Sequence, residues 1–239
     1  MVNQVLLNNL DHAELRVALE HGRAFGDFSN QMEIYPTEIE EAAREFPIVI
    51  RKSPDDGSYA TVVLLGFDES ENLFFEGDRW ISRYVPAVQQ RGPFSIGMSR
   101  GPDGEDAEPM IHIDLDDRRV RSDCGKEIFR SHGGNSTYLE GIADLLRTLY
   151  VGMRSAPALF EAWDREGLIE PVTLDVEVEE GRRFQVPDCH AVRAERLAQL
   201  DGQALERLNR SGHLAPAFFA ASSLRNVARL IDLKLRRDA

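Results

Sequence analysis

Between residues 48 and 115 the apolar residues fall into short runs of strand length, and a turn-rich piece closes almost every one. The runs are Ile48-Val49-Ile50, residues 61–65, residues 94–98 and residues 110–115. The breaks are SPDDG at 53–57, DESEN at 68–72 and RGPDGEDAEP at 100–109. Runs this short, parted by Gly, Pro, Asp, Asn and Ser, leave no room for long helices and predict a mainly antiparallel sheet. Ahead of them, residues 36–45 read as a short helix. Pro36 sits near its first position, acidic residues fill its first turn, and Pro47 stops it.

Beyond about residue 121 the apolar period lengthens from two to between three and four. Thr137-x-x-Glu140 reads as a capping box after Gly133-Gly134, opening a helix with Leu139, Ile142, Leu146, Leu149 and Met153 on one face. Pro157 is expected to kink or restart that helix, and Leu159, Phe160 and Trp163 carry the apolar face on to Gly167. Residues 172–178 and 183–186 alternate like a hairpin around Glu180-Gly181. Asp201 is placed to cap a helix through Leu205 and Leu208 that ends at Gly212. A last helix is expected from about 215 to 237, with Leu224, Val227 and Ile231 inside and Lys234, Arg236 and Arg237 at its C-terminal end. The expected fold class is α+β, with mainly antiparallel sheet over about 1–120 and helices dominating about 121–239. It is read as a single compact unit over 1–239, with RGPDGEDAEP as its most exposed loop.

Charge narrows the function classes. The chain carries 41 Asp+Glu against 28 Lys+Arg, a net of −13. Residues 1–120 hold 23 acidic and 11 basic side chains, whereas residues 182–239 hold 6 acidic and 11 basic. A chain this acidic lacks the basic face that neutralising phosphates requires, so no nucleic-acid partner is expected. A partner recognised through charge would be a basic peptide or protein, and the basic tail is expected to pack against its own acidic front. No run of 18 apolar residues predicts a membrane span. The opening MVNQVLLNNLDHAEL lacks the basic start, apolar core and small-residue cleavage site of a signal peptide. Cys124 and Cys189 alone make no disulfide framework. The expected localisation is therefore a reducing cytoplasm.

Residues 45–94 carry a set of short motifs: Phe46-Pro47-Ile48-Val49, Leu64-Leu65-Gly66 followed by Glu71-Asn72-Leu73-Phe74, and Trp80 with Tyr84-Val85-Pro86-Ala87. Arg91-Gly92-Pro93-Phe94 completes it. Together they resemble the bacterial SapC family, named after a gene of the surface-layer locus. Later pieces fit too, with Gly167-Leu168-Ile169-Glu170-Pro171 and Gly212-His213-Leu214, so the resemblance covers nearly the whole chain. Gln90 and Gly92 depart from the family's Arg-Arg-Tyr pattern. The resemblance implies a cytosolic accessory or interaction protein, acting with a peptide or protein partner in surface-layer or outer-membrane-receptor systems. It names no molecular activity.

Two constellations are candidates for chemistry. Trp80, Tyr84, Arg91 and Phe94 would form a ring-rich groove with one cation, suited to a peptide carboxylate or a planar ligand. Trp80 and Phe94 equally suit a core between sheet and helix. His112-Ile113-Asp114 on a strand would put both side chains on one face, as two ligands of a 2-His-1-carboxylate iron site. His190 or His213 would supply the distal histidine, and Arg193 or Arg196 would anchor 2-oxoglutarate. Cys124, Cys189, His132 and His190 lack the paired spacing of a zinc site. Gly133-Gly134-Asn135-Ser136-Thr137 has no P-loop lysine and reads as a capping loop. The favoured reading is the SapC-like interaction protein, with no cofactor expected. The alternative is an Fe(II)/2-oxoglutarate-type oxygenase modifying a peptide side chain, with His112 and Asp114 as metal ligands. Whether the chain is an enzyme stays open, as does its oligomeric state.

Overall fold

Among the described residues every strand pairing is antiparallel, between strands joined by short turns and between strands far apart in the chain alike. The computed structural model describes residues 3–99, 108–178 and 182–238. Most of the RGPDGEDAEP loop and the Glu180-Gly181 turn lie outside the described residues. The fold is α+β, with the main helices in the second half. The chain gathers into two compact units, each built from separated segments: Met1–Asp27 with Ala87–Tyr150, and Phe28–Pro86 with Val151–Ala239. Elements are numbered below in chain order across both.

The first unit holds two small sheets. Strand β1 (Gln4–Leu6) pairs with β9 (Glu108–Asp114), which pairs with β8 (Phe94–Ser99). Strand β2 (Arg16–Val17) lies between β10 (Val120–Arg121) and β11 (Lys126–Glu127). The short helix α2 (Ala87–Gln90) precedes β8. Helix α3 (Thr137–Arg165) begins here, with Leu139, Ile142, Leu146 and Leu149 buried as their spacing predicts. Its cap differs by one residue from the expected box. The Ser136 hydroxyl accepts from the Leu139 amide at 3.1 Å and donates to the Glu127 carbonyl at 2.6 Å, which holds it in place. Thr137 is therefore the first helical residue, and the Glu140 carboxylate turns to Arg130.

The second unit is built on a five-stranded sheet. Its members are β3 (Gln31–Ile34), β4 (Ile48–Lys52), β5 (Tyr59–Leu64), β12 (Ile169–Val178) and β13 (Arg182–Val192), in the order β12-β13-β4-β5-β3. Ile48, Val49 and Ile50 are all buried, so β4 is covered on both faces and reads as a continuous apolar run. Pro171 is accommodated because β12 lies at the sheet's edge. The hairpin of β12 and β13 is longer than its alternation suggested and joins β4 through His190 and Cys189. A two-stranded ribbon, β6 (Phe75–Glu76) with β7 (Arg79–Trp80), also belongs here. So do α1 (Ile39–Ala43), α4 (Ala194–Ala198) and α5 (Gly202–Arg210), which Asp201 caps as expected.

Three helical expectations are corrected. Pro157 does not restart the helix, and α3 runs on through it as one element. An interior proline costs about 3 kcal/mol, and burying Leu159, Phe160 and Trp163 beyond it outweighs that at roughly 1.5–3 kcal/mol each. Met153, expected on the buried face, stands 51% exposed. The last helix is two, α6 (Leu214–Ser223) and α7 (Val227–Asp238), joined by a 3-10 turn at Leu224–Asn226. The centre of α7's buried face is Leu230 and Lys234, with Leu224, Val227 and Ile231 half-buried beside it. Among the described residues no helix is long and apolar enough to cross a membrane.

Candidate functional site

The second unit carries a cleft of 530 Å³ between the exposed half of α3 and the sheet edge formed by β3 and the start of β5. Tyr35, Tyr59, Met153, Ala156, Pro157 and Phe160 supply its rings and apolar surface. Glu33, Glu161 and Asp164 supply its charge, and no basic residue lines it. Tyr59 packs on Phe160 with ring centroids 5.7 Å apart. The chain's own Lys52 Nζ lies over that ring, 5.2 Å from its centroid, a cation–π contact. Glu161 is held by Arg165 at 2.7 Å, one turn along α3.

The cleft's width is set by a glycine. A Cβ placed on Gly152 would lie 2.5 Å from Thr37 Oγ1 and 2.6 Å from Tyr35 Cβ, so α3 lies hard against the segment that carries Tyr35. Tyr35 is held from behind as well. Its amide donates to Glu38 Oε2 at 3.1 Å, and the Tyr84 hydroxyl donates to Glu38 Oε1 at 2.6 Å. Burial, reinforced by the charges of Glu38 and Glu41, pushes the Tyr84 hydroxyl well above the ordinary tyrosine range, so it stays a donor. Trp80 reaches this chain of contacts through Ser82. The indole N–H donates to Ser82 Oγ, which donates to the Tyr84 carbonyl at 2.6 Å. The Trp80 ring meets Phe75 and Phe46 edge-on at 4.8 and 6.4 Å. Glu33 is exposed overall, yet its carboxyl is raised above the usual range. Partial desolvation is the main cause, Glu38 adds to it, and a hydrogen bond from Tyr35 opposes it.

The four residues expected to form one groove are distributed over the two units. Trp80 and Tyr84 belong to the second, as supports of Tyr35. Arg91 and Phe94 belong to the first. Phe94 is fully buried and meets Tyr138 edge-on at 6.1 Å. Arg91 Nη1 donates to the Phe94 carbonyl at 2.6 Å. Near them Arg119 grips Asp117 at 2.6 Å and lies over the Phe25 ring at 5.5 Å. Burial pushes the Tyr138 hydroxyl up to about 12, with Arg119 opposing and Asp117 adding. Gly92, where the family pattern has tyrosine, takes φ +55, a left-handed value that a side chain resists.

His112 and Asp114 do share one face of β9, in the first unit, while His190 stands on β13 of the second. Asp114 Oδ1 accepts from the Asn3 amide at 3.0 Å and the Asp116 amide at 3.1 Å. The His112 ring lies over Gly97, with Nδ1 3.3 Å from the Met110 carbonyl. His190 meets Tyr59 edge-on at 5.9 Å. Among the described residues no group of three or more His, Cys, Asp or Glu gathers that could hold a metal ion. The cleft residues escaped sequence reading because 33–35, 58–59 and 153–164 are far apart and individually ordinary. Met153 gave no signal either, since its spacing put it on the buried stripe and only the structure shows it half-exposed.

No curated protein and no solved structure matches the chain. The family comparison does reach a result. The SapC model matches residues 7–230, a span that contains the Phe46–Phe94 motifs, the cleft and the helices that back it, and the chain belongs to the SapC family.

Proposed function

We propose that this SapC-family chain is an interaction protein that seats a basic segment of a peptide or protein partner in the cleft beside α3. The observation that carries this reading is the lining: Tyr35, Tyr59 and Phe160 with Glu33, Glu161 and Asp164, and no cation among the lining residues. Rings and aliphatic surface would take the stem of a lysine or arginine, and the carboxylates would take its charge. The acidic first half, net −12 over residues 1–120, would steer such a partner toward the molecule. A cytoplasmic setting, in surface-layer or outer-membrane-receptor systems, follows from the family resemblance.

Retention of degenerate arginine-containing peptides on the immobilised full-length protein tests the proposal. The Glu33→Gln/Asp164→Asn double variant is expected to weaken retention about fivefold, the size of one partly screened ion pair. Raising salt should weaken wild-type retention in the same direction. Retention that neither change alters would sink this reading.

A further inference from the structure

A second pocket opens on the other flank of the same helix. It has a volume of 560 Å³ and lies between the second half of α3, α5 and the Gly212-His213 turn. Its character is opposite. Arg165, Arg207 and Arg210 line it with Ser211 and His213, against Glu161 and Glu166. Arg207 is committed to Glu166 at 3.0 Å and forms a wall. Arg165 and Arg210 are exposed and, among the described residues, pair along their own helices, with Glu161 at 2.7 Å and Glu206 at 2.5 Å. Such surface pairs are weak and exchangeable. The His213 carbonyl accepts from Trp163 Nε1 at 2.9 Å, which fixes the turn against α3. His213 Nδ1 is buried and has no hydrogen-bond partner.

The two openings are neighbours. Residues 153, 156, 157, 160, 161 and 164 of α3 face the acidic cleft, and 158, 161, 162 and 165 face the basic pocket. The stripes lie side by side on the helix, and Glu161 stands on the crest between them, in both linings. Resting on the cleft reading above, we propose that the ligand is a bipolar peptide segment. It crosses α3 at Glu161 with its cation in the cleft and a carboxylate in the Arg165/Arg210 pocket. The carboxylate displaces Glu161 from Arg165, which turns Glu161 toward the cation. A helix is about 10 Å across with its side chains, and an extended chain advances about 3.3 Å per residue. The cation and the carboxylate therefore stand about three residues apart.

The test uses full-length protein and three sets of degenerate hexapeptides with arginine fixed fourth from the C-terminus. One set ends in a free carboxylate, one in an amide, and one in an amide preceded by aspartate. The free-acid set is expected to be retained about tenfold better than the plain amide, as a charge-assisted hydrogen-bonded pair provides. Arg165→Gln/Arg210→Gln should abolish that preference, while the amide set's retention should hold or rise, because Glu161 is freed from Arg165 for the cation. Both positions are exposed, and an unchanged melting temperature would confirm the fold. Retention of the aspartate set at the free-acid level would support a side-chain carboxylate as the source, and retention at the amide level a chain terminus. Equal retention of acid and amide sets overturns the inference and leaves the cleft reading standing. An acid preference that survives the double variant overturns it too, because the carboxylate is then held elsewhere. Retention of none of the sets sinks both readings.

Discussion

His112 owes its position to a glycine. A Cβ on Gly97 would lie 2.1 Å from His112 Cε1 and 2.3 Å from Nδ1, so the imidazole covers backbone that no side chain shields. This is cross-strand shielding of a strand glycine by a ring, which compensates the packing that a glycine forgoes. Gly97→Ala should cost about 1–3 kcal/mol by overpacking. In a His112→Ala background the same change should cost little, since the ring it strikes is gone. Urea unfolding of the four proteins measures the cycle, and equal losses in both backgrounds would remove the contact from consideration. The H-x-D pattern was therefore legible as a shared face. Alternation reports where a side chain points, but not that the Asp114 carboxylate is already accepting two amides.

The elements were more legible than their ends. Strands β4, β5, β8 and β9 stand where the apolar runs lie, because a short run between turn formers has few alternatives. Helix α7 shows what stays hidden. Lys234 carries the label of a cation at a helix C-terminus, yet only 6% of it is exposed. Its ammonium bonds Asp68 and Glu71, each at 2.7 Å. Burial alone would lower its pKa, but the two carboxylates overcome that and raise it. Arg237 adds bonds to the Asn72 and Phe75 carbonyls, so α7 clamps the Glu71–Phe74 motif. Partners more than 160 residues away leave no local trace in a sequence. Lys234→Ala should destabilise by about 3 kcal/mol, because Glu71 is left charged and nearly buried. Glu71→Gln added to Lys234→Met should recover part of that loss. A loss below about 1 kcal/mol in chemical denaturation would contradict the clamp.

The expectation that the basic tail meets the acidic front holds within the second unit, where Arg229 pairs with Glu45 and Lys234 with Asp68 and Glu71. Neither unit is a contiguous stretch of chain, and composition offered no hint of that interleaving. A fragment ending at residue 150 should therefore aggregate on expression, since it keeps β3, β4 and β5 but lacks β12, β13 and the helices from α4 to α7. A soluble fragment with native-like circular dichroism and a cooperative melt would contradict this. The same pairing of β4 with His190 and Cys189 sets a timetable during synthesis. Strand β5 reaches β4 at once through the Ser53–Ser58 turn, but the other edge must wait for about 140 further residues. At ribosomal speeds that is roughly seven to thirty seconds. Throughout it, Ile48-Val49-Ile50 is an open apolar edge of the kind that captures neighbouring chains. The two residues that follow, Arg51 and Lys52, are cations on that same strand. Like charges at an open edge disfavour pairing between identical strands, so replacing both with Ser should raise aggregation of the chain during expression.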